Sequence, residues 1–420
     1  MLEKKILILA NNPLSDTNSN GRTLKNFFAP EDREKLSQMY IHGDAPDFSA
    51  CARFFRVSDG AVLRSFLKRA EAGCVVSENE VSELRHASSS AKKMAKSPFR
   101  LLVRNFLWNR QCWRKQLYAW IDDIVPEVVL LQAGDSPFMY RLAVSIAKDR
   151  GIPLLIYNSE DYYFQKHSYM RLRGLASLFY PCFRRKLRRA VQAALAYASC
   201  SVYISEDLQS AYDAEFHRPS TYIYTATAMT PAVGNKTEGI FSYLGNFGYD
   251  RHKALIQIAE ALARISPEYR LDVYGKLPNE EVAMAFAACP AICYRGLVDY
   301  DTVCRVMQES TLLFHAECFD ETFRAAVRHG FSTKIADSLA SGSCFVIYAP
   351  PELSCTKYLK ENACACVIDD EGALEGKLRE LIESPMLRCV YIERAMAVVA
   401  QNHNAEKNRK RMAEIINSLQ

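Results

Sequence analysis

No stretch of the chain approaches the roughly eighteen uninterrupted apolar residues that a bilayer-spanning helix requires. Glycine (17) and proline (16) are scarce among the 420 residues, which excludes collagen-like and linker-rich architectures. The opening residues Met1–Ala10 carry only a brief apolar run before Asn11-Asn12-Pro13. That run is too short for a secretory core segment and reads as a buried first strand. Acidic residues are missing altogether between Glu83 and Asp122. What the cysteines lack is a pattern. The fourteen of them are scattered among apolar neighbours such as Cys200, Cys293 and Cys344, as expected of reduced thiols acting as small hydrophobes. Cys364 and Cys366 form the only close pair, and no further His/Cys cluster follows to complete a metal site.

What remains is a globular composition, 49% apolar and 24% charged, long enough for two domains. The net charge of +5 conceals an asymmetry: the first 230 residues are strongly basic and the remainder is net acidic, which suggests two partners of different charge. Short apolar runs alternate with helical patterns throughout. Strands are expected at Lys5–Ala10, Val128–Gln132, Pro153–Tyr157, Ser201–Ser205 and Tyr222–Thr225. A second series is expected at Phe241–Leu244, Leu271–Tyr274, Ile292–Tyr294, Leu312–His315, Cys344–Tyr348 and Cys364–Ile368. Helical spacing between them, as in Lys253–Ile265, argues for an α/β fold with parallel sheets covered on both faces and built twice. Pro231, Gly234 and Asn235 interrupt the pattern, which divides the chain into domains 1–230 and 231–394, with a helix at 395–420 crossing back onto the first. Residues 48–120 offer no convincing strand and read as a helical insertion.

The sharpest local signal is Phe331-Ser332-Thr333-Lys334-Ile335-Ala336-Asp337-Ser338-Leu339-Ala340-Ser341-Gly342, followed at once by the run Cys344–Tyr348. Ser332 and Thr333 open a helix, Ile335 and Leu339 form its apolar pair, and Gly342 ends it. A helix start aims free amide hydrogens and a partial positive charge outward, which suits an anion. The dipole contributes only about 0.3–2 kcal/mol, so a diphosphate also needs side-chain cations, and Lys334 is one. Tyr243-Leu244-Gly245-Asn246-Phe247-Gly248-Tyr249-Asp250-Arg251-His252-Lys253 supplies others: a strand ends at Gly245 and Arg251 and Lys253 begin the next helix. Singly, each feature reads as ordinary capping or a solvated charge. Jointly, at the carboxyl ends of neighbouring strands, they favour anion binding.

These segments resemble the GT-B superfamily of nucleotide-sugar glycosyltransferases, of the group 1 type, firmly over residues 240–370 and diffusely before that. The resemblance implies two Rossmann-like domains facing each other across a cleft. It implies that Gly245, Asn246 and Lys253 contact the donor diphosphate, with Arg251 supplying a charge that the family often places directly after the glycine. Leu271–Gly275 matches the next family strand, and Tyr294-Arg295-Gly296-Leu297-Val298 the segment that cradles the nucleobase, so Gly275, Arg295 and Val298 join the donor site. The family's paired glutamates fall at His329 and Asp337. Asp337 can still accept from a ribose, whereas His329 cannot act as a carboxylate, and a neighbouring group, Glu317, Asp320 or Glu321, stands in; Phe319–Val327 resembles a family-variable loop near the sugar. In the first half, Asn18–Thr23 resembles the glycine loop facing sugar and acceptor, making Asn20, Gly21 and Arg22 candidates. Family members carry a His or acidic residue near Glu160 and Asp161, which become the candidates for an acceptor-binding or base-like carboxylate; Asp161 could also simply cap a helix.

Lys92, Lys93, Lys96, Arg100, Arg104, Arg110, Arg114 and Lys115 are interleaved with Phe99, Phe106, Trp108 and Trp113. Arg171–Arg189 repeats the mixture. Basic helices at 92–115 and 171–189 with large apolar neighbours fit an anionic membrane surface, ahead of a solvated face and of nucleic acid, which would use the aromatics for stacking. The sequence therefore reads as a cytoplasmic glycosyltransferase, peripheral on the inner membrane face. Its expected substrates are a nucleotide-sugar and a glycan or lipid-linked acceptor in surface polysaccharide synthesis, with retention of configuration implied by the resemblance. No metal motif is evident, and the cations named could replace a divalent ion; nor is a cofactor called for. An epimerase of the same architecture, or a nucleotide-sugar-binding protein with a decayed site, are the competing readings.

Overall fold

The computed structural model describes residues 1–16, 18–68, 71–80, 97–165, 176–232 and 238–420. The chain forms two units, Met1–Thr225 with Ala405–Gln420, and Ala226–Asn404.

The first unit is an eight-stranded sheet. In chain order its elements are β1 (Ile6–Ala10), α1 (Ser19–Lys25), β2 (Leu36–Tyr40), β3 (Arg53–Arg56), α2 (Asp59–Lys68), β4 (Cys74–Val76), α3 (Pro98–Trp108), α4 (Lys115–Ile124), β5 (Val128–Gln132), α5 (Pro137–Arg150), β6 (Leu154–Asn158), α6 (Ala176–Tyr197), β7 (Cys200–Tyr203), α7 (Glu206–Phe216) and β8 (Ser220–Tyr222). The spatial order is β4-β3-β2-β1-β5-β6-β7-β8. All pairings are parallel except β3 with β4. β1 and β5 are buried at every residue, as near-continuous apolar strands covered on both faces must be.

Residues 48–120 are not purely a helical insertion: β3 and β4 lie inside them and finish one edge of the sheet. Arg53-Phe54-Phe55-Arg56 hides its strand because only two apolar residues stand between arginines. β2 was also invisible in the pattern. Gln38 is fully buried in its middle, and the loop after β1 satisfies it: its Oε1 accepts from the Leu14 amide at 2.7 Å and its Nε2 donates to the Asn12 carbonyl at 3.1 Å. β8 ends at Tyr222, three residues before the expected end of that strand.

The second unit is a six-stranded, fully parallel sheet ordered β11-β10-β9-β12-β13-β14. Its elements are β9 (Phe241–Leu244), α8 (Arg251–Ile265), β10 (Leu271–Tyr274), α9 (Glu280–Ala287), β11 (Ile292–Gly296), α10 (Tyr300–Glu309), β12 (Leu312–Ala316), α11 (Glu321–Val327), α12 (Lys334–Ala340), β13 (Cys344–Tyr348), α13 (Ser354–Glu361), β14 (Cys366–Ile368), α14 (Leu374–Glu383) and α15 (Pro385–Asn402). The segment read as a variable loop near the sugar contains α11. A final helix, α16 (Ala405–Ser418), belongs to the first unit, where Met412, Ile416 and Leu419 pack with Leu2, Ile6 and Phe27. The return to the first unit thus begins at 405 rather than 395, because residues 395–402 complete α15. Likewise the first unit ends at Thr225, five residues before the expected boundary.

Each order has a switch point, where neighbouring strands run their connections to opposite sides and their carboxyl-end loops splay apart. In the first unit it lies between β1 and β5, and in the second between β9 and β12.

Candidate functional site

At the second unit's switch point, β9 ends in Gly245–Asp250 and β12 ends in Ala316 followed by Glu317. Tyr249 and Asp250 both adopt positive φ (57° and 54°), turning the chain sharply into α8. This turn delivers Arg251 to Glu317. The pair is bidentate, with Nε to Oε2 at 2.8 Å and Nη2 to Oε1 at 2.6 Å, and both side chains are largely withdrawn from solvent. The third guanidinium nitrogen donates to Asn246 Oδ1 at 2.5 Å. His315 Nε2 lies 3.1 Å from Glu317 Oε1. Burial alone would raise the Glu317 pKa, but Arg251 and His315 beside it reverse the effect and hold it at about 2. Arg251 is raised in turn, against its own burial, by Glu317.

This pairing corrects the expectation for two residues. Arg251 is neutralised by a fixed carboxylate rather than standing open to an anion, and Glu317 is its counter-ion rather than a free contact to the sugar. The cation left over is Lys334. Its ammonium makes no hydrogen bond or ion pair among the described residues. Its pKa is lowered by burial first and then by Arg251, with Glu317 and Asp337 pulling the other way. Asp337, one turn further along α12, accepts from the Thr227 hydroxyl at 2.5 Å. Ser332 and Thr333 precede the helix, but neither makes a strong cap: Thr333 has no side-chain capping bond and Ser332 Oγ is 3.4 Å from the Lys334 amide. With only seven residues, α12 contributes little dipole, so the charge here resides in Lys334.

Lys253 belongs to a different group. It is more than half exposed, 3.0 Å from Asp250, and its pKa is raised mainly by that hydrogen bond. Arg295 is also engaged, donating to Asp272 at 2.7 Å on the edge of the sheet. Val298 is partly buried just beyond β11.

The three glycines that end β9, β10 and β11 form a ladder. The Gly245 amide donates to the Tyr274 carbonyl at 3.0 Å and the Gly275 amide to the Gly296 carbonyl at 2.9 Å. Gly275 has φ 151°, and a Cβ there would lie 2.0 Å from the Gly245 carbonyl oxygen. Only glycine lets these loops approach so closely. The Tyr243 hydroxyl donates to the Asn246 carbonyl at 2.7 Å, fixing the loop from below. Gly245, Asn246, Arg251, Glu317 and Lys334 therefore share one locality, with Gly275 buttressing it.

Sequence reasoning missed His315, Thr227 and Asp250. The signal for His315 was present: two polar residues at i and i+2, His315 and Glu317, end an otherwise apolar strand and so share one face.

In the first unit, Asn18 Oδ1 accepts from the Gly21 amide at 2.7 Å and caps α1. Asn20, Gly21 and Arg22 are thus helical and not part of a flexible loop. A Cβ on Gly21 would lie 2.2 Å from the Pro13 carbonyl oxygen, which holds α1 tightly against the loop after β1. Arg22 donates to the Asp16 carbonyl at 2.7 Å, and the Asn20 carbonyl accepts from Gln132 at 3.1 Å. Asp161 is a cap: its Oδ1 accepts from the Tyr163 and Phe164 amides at 2.9 and 2.8 Å and lies 3.1 Å from the Tyr212 hydroxyl. That corrects its reading as a base. Glu160 is exposed, and its Oε2 accepts from the Tyr162 hydroxyl at 3.0 Å.

In the basic stretches the large aromatics are partly withdrawn, while most of the described cations are exposed. Lys92, Lys93, Lys96 and residues 171–175 lie outside the described residues. Trp108 and Trp113 are buried, and Arg104 turns inward to Asp59 at 2.7 Å and Ser136 at 2.9 Å. Among the described residues no helix is long and apolar enough to cross a membrane.

The described residues thus form two Rossmann-like units, the second with Lys334 near its switch point. Comparisons with solved structures agree. HepE of Anabaena, solved with UDP and glucose, has a TM-score of 0.65 at 12% identity, covering 99% of this chain and 100% of its own. Sucrose-phosphate synthase of Thermosynechococcus elongatus gives 0.64 at 12% identity, covering 98% of each chain. A glycosyltransferase of Rickettsia africae gives 0.59 at 13% identity, covering 99% of this chain and 98% of its own. Residues 251–417 match the family model described as glycosyl transferase-like, and the likeness to the solved structures extends as a likeness of fold over the whole chain. No curated protein matches the sequence.

Proposed function

We propose that the second unit binds a nucleotide-sugar through its diphosphate and that the protein transfers the sugar, with retention, to a glycan or lipid-linked acceptor in surface polysaccharide synthesis. The observation that carries this reading is the Lys334 ammonium, which makes no hydrogen bond or ion pair among the described residues, beside the Arg251–Glu317 pair where β9 and β12 diverge. With Arg251 already matched by Glu317, Lys334 is the cation available to an anion at this point. It suits the leaving diphosphate, on which negative charge grows as the glycosidic bond breaks. The Arg251–Glu317 pair holds the Gly245–Asp250 loop in place, Lys334 meets the phosphates, and Lys253 adds charge at the rim.

Asp337 and Thr227 are placed to meet a ribose in this reading, and Tyr294–Val298 the base. UDP is the nucleotide favoured, since HepE was solved with UDP and with UDP-glucose. Glu160, exposed at the carboxyl end of β6, is the acceptor-side carboxylate; Asp161 supports its loop. The basic first unit fits an acceptor that carries phosphate, and an attachment to the inner membrane face. Thermal-shift measurements across UDP-, GDP-, CMP- and dTDP-sugars test the donor. A shift with a UDP-sugar, followed by transfer of that sugar, is expected; stabilisation by none of them contradicts the proposal.

A further inference from the structure

The first unit holds a cavity that the donor reading does not use. It encloses about 510 Å3 and is lined by Tyr163, Arg184, Arg185, Arg188, Arg189 and Gln192 among others. Spacing explains the arginines: positions 184, 185, 188 and 189 fall on one stripe of α6. Four like charges on one stripe work against the helix, so the fold must neutralise them or leave them for something else. It neutralises only part. Arg184 donates to the Tyr162 and Tyr163 carbonyls, which ties α6 to the segment after β6. Arg188 lies over the Tyr163 ring, 4.5 Å from its centroid. Arg185 and Arg189 are exposed and make no ion pair among the described residues.

The nearby carboxylates are already committed. Asp161 accepts from the Tyr163 and Phe164 amides, and Glu215 accepts from the Tyr163 hydroxyl at 2.9 Å. Three guanidinium groups without carboxylate partners among the described residues thus face a cavity at the carboxyl end of β6, the side of an α/β sheet on which ligands bind. Guanidinium forks match phosphate oxygens.

The second half of the observation lies on the same helix, about two to three turns before Arg185, Arg188 and Arg189. Leu178 is 70% exposed and Phe179 40%, and Phe179 packs against Phe99 of α3, itself 54% exposed, at 5.3 Å between ring centroids. Exposed large apolar side chains grouped in this way mark a binding surface. A cationic cavity and an exposed apolar cluster on the same helix fit an amphiphile with a polyanionic head.

We propose that this cavity binds the diphosphate of a lipid-linked molecule, with Arg185, Arg188 and Arg189 on the phosphates and the hydrocarbon chain leaving over Leu178, Phe179 and Phe99. The proposal rests on the acceptor reading above for the kind of ligand, and on the cavity alone for its place. Arg184 and Tyr163 are positioning residues.

Calorimetry with farnesyl diphosphate, inorganic pyrophosphate, and phosphatidylcholine vesicles containing phosphatidylglycerol, all in excess UDP, tests it. The variants are Arg185→Gln/Arg189→Gln and Leu178→Ser/Phe179→Ser, all at exposed positions and checked by near-UV circular dichroism. Saturable binding of farnesyl diphosphate is expected, weakened about tenfold or more by the arginine pair, as is pyrophosphate binding. The apolar pair weakens farnesyl diphosphate alone. Absence of saturable farnesyl diphosphate binding overturns the proposal, as does binding indifferent to the arginines. Equal affinity for pyrophosphate and farnesyl diphosphate overturns the lipid source in favour of free phosphate. Vesicle binding without binding of either soluble probe replaces the site with surface adsorption. Titration of UDP alone separates the two readings: intact UDP binding with no farnesyl diphosphate binding sinks this proposal only, and the reverse result sinks the donor site only.

Discussion

Glu317 is the residue on which the candidate donor site is built, because it is buried, ionised and shared. A buried pair broken on one side leaves an uncompensated charge, at a cost of about 3–5 kcal/mol. Arg251→Leu should therefore lower stability to urea by about that amount, and the double variant Arg251→Leu/Glu317→Leu by distinctly less. Equal losses would show that the pair is not coupled. The pH dependence follows from the depressed pKa of Glu317. Its contribution is complete above the ordinary glutamate value of 4.5 and is lost as pH falls toward about 2. Glu317→Gln should abolish that part of the acid unfolding profile while leaving neutral-pH unfolding of the first unit unchanged. The residue scale also shows what the sequence concealed. Arg251, Glu317 and Lys334 were all visible as candidates, but which cation was already matched was not, because that depends on the turn at Tyr249 and Asp250. Asp161 misled for the same reason: a carboxylate after a strand reads alike whether it caps or catalyses.

Among the elements, those of the second unit were legible because its six strands are short apolar runs bounded by glycine or polar residues. The edge of the first sheet was not. β2 contains Gln38 at its centre, and β3 is two phenylalanines between arginines; each is held by partners distant in sequence that no local pattern records. The glycine ladder beneath the site makes its own prediction. Gly275→Ala requires both a left-handed backbone and space already filled by the Gly245 carbonyl, so the carboxyl ends of β9 and β10 must separate. The expected result is a loss of about 1–3 kcal/mol together with weaker nucleotide binding. Gly376→Ala, where an added Cβ meets nothing within 4 Å, should change neither, and urea unfolding with and without UDP reads both quantities.

For the whole molecule, the chain begins and ends in the same unit. α16 and the residue just after it supply Met412, Ile416 and Leu419 to the core around β1, and Asn417 Oδ1 accepts from the Glu3 amide at 2.9 Å. A chain stopped at Asn404 should lose thermal stability in the first unit and retain the transition of the second, observed by calorimetry as the selective downward shift of one component. A uniform shift of all components would contradict the division at 225 and 405. The charge asymmetry of the sequence falls along this same division, with the arginine-lined cavity in the basic unit and Lys334 in the acidic one.

The measurement closest to the central claim is the affinity of UDP for the protein and for Lys334→Ala, determined by titration calorimetry. The account predicts saturable binding, weakened by about tenfold or more in the variant, corresponding to about 1.4 kcal/mol or above. It further predicts that the wild-type affinity declines at a pH below the ordinary lysine value of 10.5, since burial and Arg251 lower the Lys334 pKa. Equal affinity in the two proteins would show that the diphosphate is held elsewhere.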